Sequence, residues 1–115
     1  MAGQQGHLRI DAKRGPGGVV LLLEGELDLA GAPTLDREIG RAEADADSMV
    51  ALDLENLSFI DSSGLRVILL AHERAREAGR QFAVTRGSQQ VQRLFTTAGV
   101  DGYLLIVDSS EELLG

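Results

Sequence analysis

The chain has 115 residues, of which 43% are hydrophobic and 3% aromatic, and its formal net charge at pH 7 is −7. This length and apolar content fit a single domain with one core. An acidic chain with few aromatic rings lacks both the cations that neutralise phosphates and the rings that stack on bases, so we expect no direct contact with nucleic acid. The absence of cysteine excludes disulfides, zinc-finger spacing and thiol chemistry.

Nothing in the N-terminal residues resembles the charged start and apolar run of a signal peptide. The longest apolar stretch, Val19 to Leu23, is far shorter than the roughly 18 residues that suggest a membrane-spanning helix. The sequence therefore predicts a cytoplasmic protein that does not enter a membrane. Residues 1–7 are polar and contain glycine, so we expect a flexible N-terminus followed by one domain over residues 8–115.

Apolar periodicity predicts two opening strands, Leu8 to Lys13 and Val19 to Leu27, joined by a hairpin loop at residues 15–18. A helix with Pro33 in its first turn follows, and then a strand from Met49 to Leu54. The inward face of this helix is predicted to contain Leu35, Ile39, Ala42 and Ala46.

Helices and strands continue to alternate in the second half of the chain. The predicted elements are a helix from about Ser63 to Ala78, a strand from Gln81 to Thr85, a helix between Ser88 and Gly99, a strand from Tyr103 to Val107 and a short helix within Ser109 to Leu114. This order indicates an α/β fold in which a mixed sheet of about five strands opens with a hairpin and packs against four or so helices.

The segment Leu57 to Leu65, with the sequence LSFIDSSGL, leads an apolar run into an aspartate, two serines and a glycine where a helix is expected to begin. The first turn of a helix has unpartnered N–H groups and partial positive charge, so a phosphate is stabilised there. The simpler alternative is that Asp61 and the serines only cap the helix. Because one cap would suffice and Gly64 is expected to leave space over the helix end, Ser62 is our candidate phosphate acceptor.

Three segments together resemble the STAS domains, and in particular the bacterial anti-sigma factor antagonists, also called anti-anti-sigma factors. They are Gly25 to Asp28 (GELD), Leu57 to Leu65, and Val91 to Phe95 (VQRLF) with the later Gly99. The resemblance extends from about Leu8 to Leu114. The Asp-Ser-Ser-Gly-Leu block in this context is specific, whereas Gly-Glu-Leu-Asp alone would be weak.

The resemblance implies a switch rather than an enzyme. Such a protein, when unphosphorylated, binds an anti-sigma factor that is also a serine kinase, and a sigma factor is thereby released. Phosphorylation ends this interaction, and a phosphoserine phosphatase resets it. The acceptor is the serine directly after the motif's aspartate, which is Ser62 in this chain. The resemblance implies no cofactor or metal in the chain itself, since the kinase supplies the ATP chemistry.

The expected partner-binding residues cluster around this serine. They are Asp28, Asp61, Ser62, Ser63, Gly64 and Arg66. We expect Asp61 to cap the helix and contact the partner, and Ser63 to cap the helix rather than accept phosphate. The resemblance places the loop that Asp28 begins near the serine, although a turn or N-cap aspartate is the alternative.

Arg66 departs from many members of the resembled family, which have a small residue after the motif's Gly-Leu. In the first turn of the predicted helix its positive charge lies at the less favourable end of the helix dipole. It could instead pair with an acidic residue of the partner or with the phosphate.

Enzyme chemistry has little support, so we assign no catalytic residue. A serine hydrolase would need a base beside its serine, but the histidines are His7, near the N-terminus, and His72, well inside a predicted helix. The Gly-x-Ser-x-Gly and phosphate-loop patterns are both absent. The alternative function is a STAS module that is not phosphorylated and acts as a scaffold component or as an accessory domain for small-ligand binding or lipid transport.

Overall fold

The computed structural model describes residues 3–45 and 49–114. Its strands are β1 (Gly3–Gln5), β2 (Leu8–Gly15), β3 (Gly18–Leu27), β4 (Met49–Ile60), β5 (Gln81–Thr85) and β6 (Ile106–Val107). Its helices are α1 (Ala32–Asp45), α2 (Ser62–Ala78), α3 (Gln89–Thr97) and α4 (Glu111–Leu114). The predicted α/β fold is confirmed.

The six described strands form one mixed sheet whose spatial order follows the chain, β1-β2-β3-β4-β5-β6. β1, β2 and β3 pair antiparallel, whereas β3 to β6 pair parallel. The predicted hairpin joins β2 to β3, and Gly15 pairs with Gly18 so that Pro16 and Gly17 form the turn. Each parallel pair is connected through a helix, as parallel strands require.

The main core lies between one face of the sheet and the helices α1, α2 and α3. Leu21, Leu52 and Val84 of the sheet are buried against Ile39 of α1 and Phe95 of α3 in this core. On the opposite face, a smaller buried cluster packs against Leu113 of α4. That cluster consists of Val20, Met49, Ala51 and Ala83. Because both faces of the central strands are covered, β4 begins as a continuous apolar run rather than an alternating one.

The predicted inward face of α1 is confirmed where the structure describes it. Leu35, Ile39 and Ala42 are buried, and Ala46 lies outside the described residues. Gly79 closes α2 as predicted, with a left-handed φ of 70°. Within the described ranges, no helix is long and apolar enough to cross a membrane.

Two strands, β4 and β6, differ clearly from their predicted extents. β4 continues beyond Leu54 because Leu57 and Ile60 are buried and pair with the end of β3 through a bulged register. β6 is shorter than predicted because residues 100–104 form a turn, in which the N–H groups of Tyr103 and Leu104 donate to the Val100 carbonyl.

Within the segment expected to be a flexible N-terminus, the described residues 3–5 form a strand of the sheet. Gly3–Gln5 forms β1 and pairs with Leu8–Ile10 at the edge of the sheet. Backbone pairing at an edge needs no apolar side chain, so hydrophobic patterning does not reveal it. Gly3 lies close to the side chains of Thr34 and Glu38 in α1.

Candidate functional site

The site lies where β3 and β4 end side by side. Leu27 pairs with Ile60, and the Asp61 N–H donates to the Leu27 carbonyl at 3.1 Å. Because the two strands are parallel, the loop that begins at Asp28 and the start of α2 at Ser62 emerge at the same edge of the sheet.

Asp61 is the N-cap of α2. Its Oδ1 accepts the N–H groups of Ser63 at 2.9 Å and Gly64 at 3.3 Å, and its backbone carbonyl accepts the N–H of Leu65 at 3.0 Å. The predicted cap at Asp61 is confirmed, whereas the prediction that Ser63 caps the helix is wrong. The helix begins one residue earlier than expected, so Ser63 lies inside the first turn and its N–H is one of the groups being capped.

Ser62 is the first residue of α2 and is exposed. Its hydroxyl makes no hydrogen bond to any residue in the described part of the chain. Ser63, by contrast, is partly buried and lines a groove between α1 and α2. The hydroxyl of Ser62 is therefore open to chemical modification and has no structural role that a modification would disrupt.

Gly64 does not leave open space over the end of the helix, contrary to the prediction. It is buried, and a Cβ at this position would lie 2.4 Å from Cγ of Leu27 and 3.2 Å from Cγ1 of Ile60. Its missing side chain lets α2 approach β3 and β4 closely. Gly64 therefore supports the site from inside the protein.

Asp28 organises the loop before α1. Its Oδ1 accepts the N–H groups of Ala30 at 3.1 Å and Gly31 at 3.2 Å, and its backbone carbonyl accepts the Ala32 N–H at 2.9 Å. This geometry corresponds to the turn aspartate that was the alternative assignment. A role for Asp28 in partner binding stays a prediction.

An apolar groove of about 400 Å³ lies between α1 and α2, and its lining includes Ser63, the residue after Ser62. Leu29 and Leu70 line it and are 73% and 46% exposed. The remaining lining residues are Ala32, Pro33, Asp36, Ser63, Arg66 and Val67. Because these exposed leucines lie together in one groove, the groove is a candidate contact surface.

Arg66 stands at this groove with an exposed side chain. It makes no ion pair or hydrogen bond with the residues that the structure describes, whereas Arg74 further along α2 pairs with Glu43 at 2.9 Å. Arg66, which replaces the small residue of many family members, thus places an unpaired guanidinium one helical turn after Ser62.

Sequence reasoning missed Gln90, which holds the end of β4 in place. Its Oε1 accepts the Ile60 N–H at 2.8 Å, and its Nε2 donates to the Ile60 carbonyl at 3.0 Å. Both backbone groups of the residue before Asp61 are thereby satisfied by one side-chain amide. No local signal reveals this contact, because a glutamine in the first turn of a helix ordinarily faces solvent.

Among the described residues, no group of three or more His, Cys, Asp or Glu side chains is arranged to hold a metal ion. His72 lies in α2 and packs edge-on against the ring of Tyr103, with ring centroids 4.5 Å apart. It is about 15 Å along the helix axis from Ser62. His72 is therefore a packing residue of the helix and is not placed to activate the serine.

The comparison with known proteins agrees with this geometry. The family model described as the STAS domain matches residues 9–113. The anti-sigma F factor antagonist of Paenibacillus polymyxa is 30% identical over 112 residues, which cover 94% of this chain and 93% of that protein. The chain therefore belongs to the STAS domain family, which confirms the resemblance found in the sequence.

Solved structures show the same fold. An anti-sigma factor antagonist from Mycobacterium paratuberculosis matches with a TM-score of 0.82 at 23% identity, over 93% of this chain and 91% of that one. The Bacillus cell fate determinant SpoIIAA in its phosphorylated form matches with a TM-score of 0.70 at 23% identity, over 90% of this chain and 95% of that one.

The substitution Gly64→Ala tests the close packing of α2 on β3. We expect it to lower the free energy of unfolding by about 1–3 kcal/mol, because the added methyl group overlaps the buried Leu27. Gly40→Ala in α1 is the matched control, since its Cβ meets open space and alanine favours a helix by roughly 0.5–1 kcal/mol. Chemical denaturation measures both variants, and equal effects would contradict the packing.

The substitution Gln90→Ala tests the support of the strand end. Both Ile60 backbone groups lose their partner, so we expect the free energy of unfolding to fall by about 1–3 kcal/mol and the Ile60 amide to exchange faster. Gln89→Ala is the control, because Gln89 is exposed and makes no hydrogen bond through its side chain to the described residues. Unchanged exchange at Ile60 in the Gln90 variant would refute this role.

Proposed function

We propose that this protein is an anti-sigma factor antagonist that works as a phosphorylation switch. In the unphosphorylated state it binds an anti-sigma factor serine kinase, so that a sigma factor is released. Phosphorylation of Ser62 then ends the interaction, and a phosphoserine phosphatase restores it. The observation that carries the proposal is the exposed Ser62 hydroxyl, free of hydrogen bonds to the described residues, at the start of a helix whose cap is supplied by Asp61.

The site supports a modification that leaves the fold intact. Asp61 and Gly64 hold the first turn of α2 through contacts in which the Ser62 hydroxyl takes no part. The positive end of the helix dipole partly offsets the repulsion between Asp61 and a phosphate. Phosphorylation would therefore alter the surface and leave the core packing unchanged.

The same surface explains how phosphate would end binding. The exposed leucines of the groove need a partner that covers them closely and excludes water. A phosphate adds about −1.5 to −2 charges beside this contact, next to Asp61 and the Asp28 loop. The partner would have to desolvate this charge or be repelled by it, so the complex would dissociate without unfolding of either protein.

In this scheme the chain has no catalytic residue and needs no cofactor, because the kinase partner brings the ATP and the phosphatase carries the hydrolytic site. The phosphorylated form solved for SpoIIAA is consistent with a modification of this kind on the STAS fold. The proposed partners act on transcription, which places the protein in the cytoplasm.

The phosphorylation site is tested by intact mass and site mapping on the protein from its native cells and on recombinant protein mixed with ATP and extract of those cells. We expect one phosphate, on Ser62. Ser62→Ala should stay unmodified, whereas Ser63→Ala, which removes the neighbouring hydroxyl, should still be phosphorylated. Phosphate on Ser63, or no phosphate under any growth condition, would count against the proposal.

Binding provides the second half of this test. Unmodified protein and Ser62→Ala should both capture the kinase from the extract, and Ser62→Asp should bind it more weakly. Tight binding by Ser62→Asp would argue against a mechanism based on charge.

The apolar groove is tested with the captured kinase once it is purified. Leu29→Ser should weaken the complex by about tenfold or more, because burial of a leucine is worth roughly 1.5–3 kcal/mol. Leu105→Ser is the matched control, since Leu105 is another exposed leucine, at 50%, but lies outside the groove. Isothermal titration gives both dissociation constants, and equal values for the two variants would remove the groove from the interface.

A second candidate function rests on the size of the same groove. Its volume of about 400 Å³ lies within the range of small-ligand sites, so a STAS module that binds a ligand without being phosphorylated is the alternative. Such a module would keep its function in Ser62→Ala cells, whereas loss of regulation in those cells supports the switch.

A further inference from the structure

Arg66 is a cation without an evident role in the unphosphorylated protein. It is exposed and has no ion pair or hydrogen bond with the described residues. Near the N-terminus of a helix an unpaired positive charge is mildly unfavourable. The first turn of α2 contains no acidic side chain that could pair with the Arg66 guanidinium.

The helix places Arg66 next to Ser62. Residues separated by four positions lie on the same face of a helix, with Cβ atoms about 5–6 Å apart. An acid that precedes a base by four positions is the favourable order for an ion pair. An unmodified serine offers only a neutral hydroxyl, so this pair forms only after Ser62 acquires negative charge.

We propose that Arg66 binds the phosphate group of phosphorylated Ser62 within the same helix. This inference rests on the proposed function only in that it takes Ser62 to be the phosphorylated residue. The planar guanidinium can donate two parallel hydrogen bonds to phosphate oxygens, which is the strongest arrangement available to a basic side chain.

The acidic groups around Ser62 would repel a phosphate there, so a nearby cation such as Arg66 is needed to offset them. Asp61 precedes the phosphate, Asp28 begins the neighbouring loop, and Asp36 of α1 lines the same groove. Asp36 already lies 4.0 Å from Arg74, and Asp61 accepts two backbone N–H groups. Arg66 is thus the free basic side chain that the helix register places next to the phosphate.

The pairing would change the surface in two ways at once. Phosphorylation adds negative charge at Ser62, and it also draws the guanidinium of Arg66 away from the groove that it lines. An acidic residue of the partner that contacts Arg66 in the unphosphorylated state would lose that contact. Arg66 would therefore increase the difference in partner affinity between the unphosphorylated and the phosphorylated protein beyond the effect of the phosphate alone.

The test uses protein in which phosphoserine is incorporated at position 62 during translation, and follows its ³¹P resonance in a pH titration at low ionic strength. The second pKa of phosphoserine is about 6 in a free side chain. Because a nearby guanidinium favours the dianion, Arg66→Ala should raise this pKa by roughly 0.3–0.5 units relative to the parent protein. Arg66→Lys should restore part of the difference, since lysine keeps the charge but not the paired donors.

Arg76→Ala is the matched control. Arg76 is another exposed arginine of α2, but it lies about 21 Å along the helix axis from Ser62. Its removal should leave the phosphoserine pKa unchanged. Denaturation of the unphosphorylated variants checks that Arg66→Ala folds at least as stably as the parent, as expected when an exposed and unpaired positive charge near the start of a helix is removed.

A phosphoserine pKa that is equal in the parent, Arg66→Ala and Arg76→Ala proteins would overturn the inference. Equal increases in the two alanine variants would do the same, since they would reflect net charge rather than a contact. Because the phosphate is introduced without a kinase, this result is independent of whether a kinase modifies Ser62. Failure of the phosphorylation experiment would overturn the proposed function and leave the measured contact standing.

Discussion

The site depends on one constraint, which is that β4 extends well beyond its neighbour β5. β4 pairs with β5 only over Met49–Leu52, but with β3 as far as Ile60. On the unpaired side, the backbone must find other partners, because a buried group without one costs about 1–3 kcal/mol. Thr85 Oγ1 accepts the Leu54 N–H at 2.8 Å, and the Gln90 amide satisfies Ile60. These contacts stabilise the part of β4 that extends beyond β5. Asp61, which follows this part, therefore lies beside the end of β3, where it caps α2.

Helical periodicity then divides the roles of neighbouring residues. Gly64 faces inward against Leu27, whereas Ser62 faces outward. Ser62, Arg66 and Leu70 follow each other at intervals of one turn, and all are exposed. A hydroxyl, a cation and an apolar side chain thus form one outward stripe on a helix whose opposite face is fixed in the core. The surface can change its charge at Ser62 without any change in the packing beneath it.

The parts of this fold that the sequence predicts are those determined by local patterning. Apolar runs such as Val19 to Leu23 and caps such as Ser88 and Gly79 define most elements. Contacts distant in the sequence were not predictable, because Gln90 meets Ile60 across 30 positions and nothing near either residue indicates it. The roles of Ser63 and Gly64 were misassigned for a related reason. The first residue of α2 depends on how far β4 runs, and that length is set by its pairing with β3.

The position of Arg66 links this architecture to the energetics of a switch. In the unphosphorylated protein its charge opposes the helix dipole, which slightly destabilises that state. In the phosphorylated protein the same charge would pair with the phosphate and offset the repulsion between the phosphate and Asp61. A small residue at this position would do neither. Compared with a small residue at this position, Arg66 therefore lowers the free energy of the phosphorylated protein relative to that of the unphosphorylated one. Because Arg66 is exposed, this effect leaves the core unchanged.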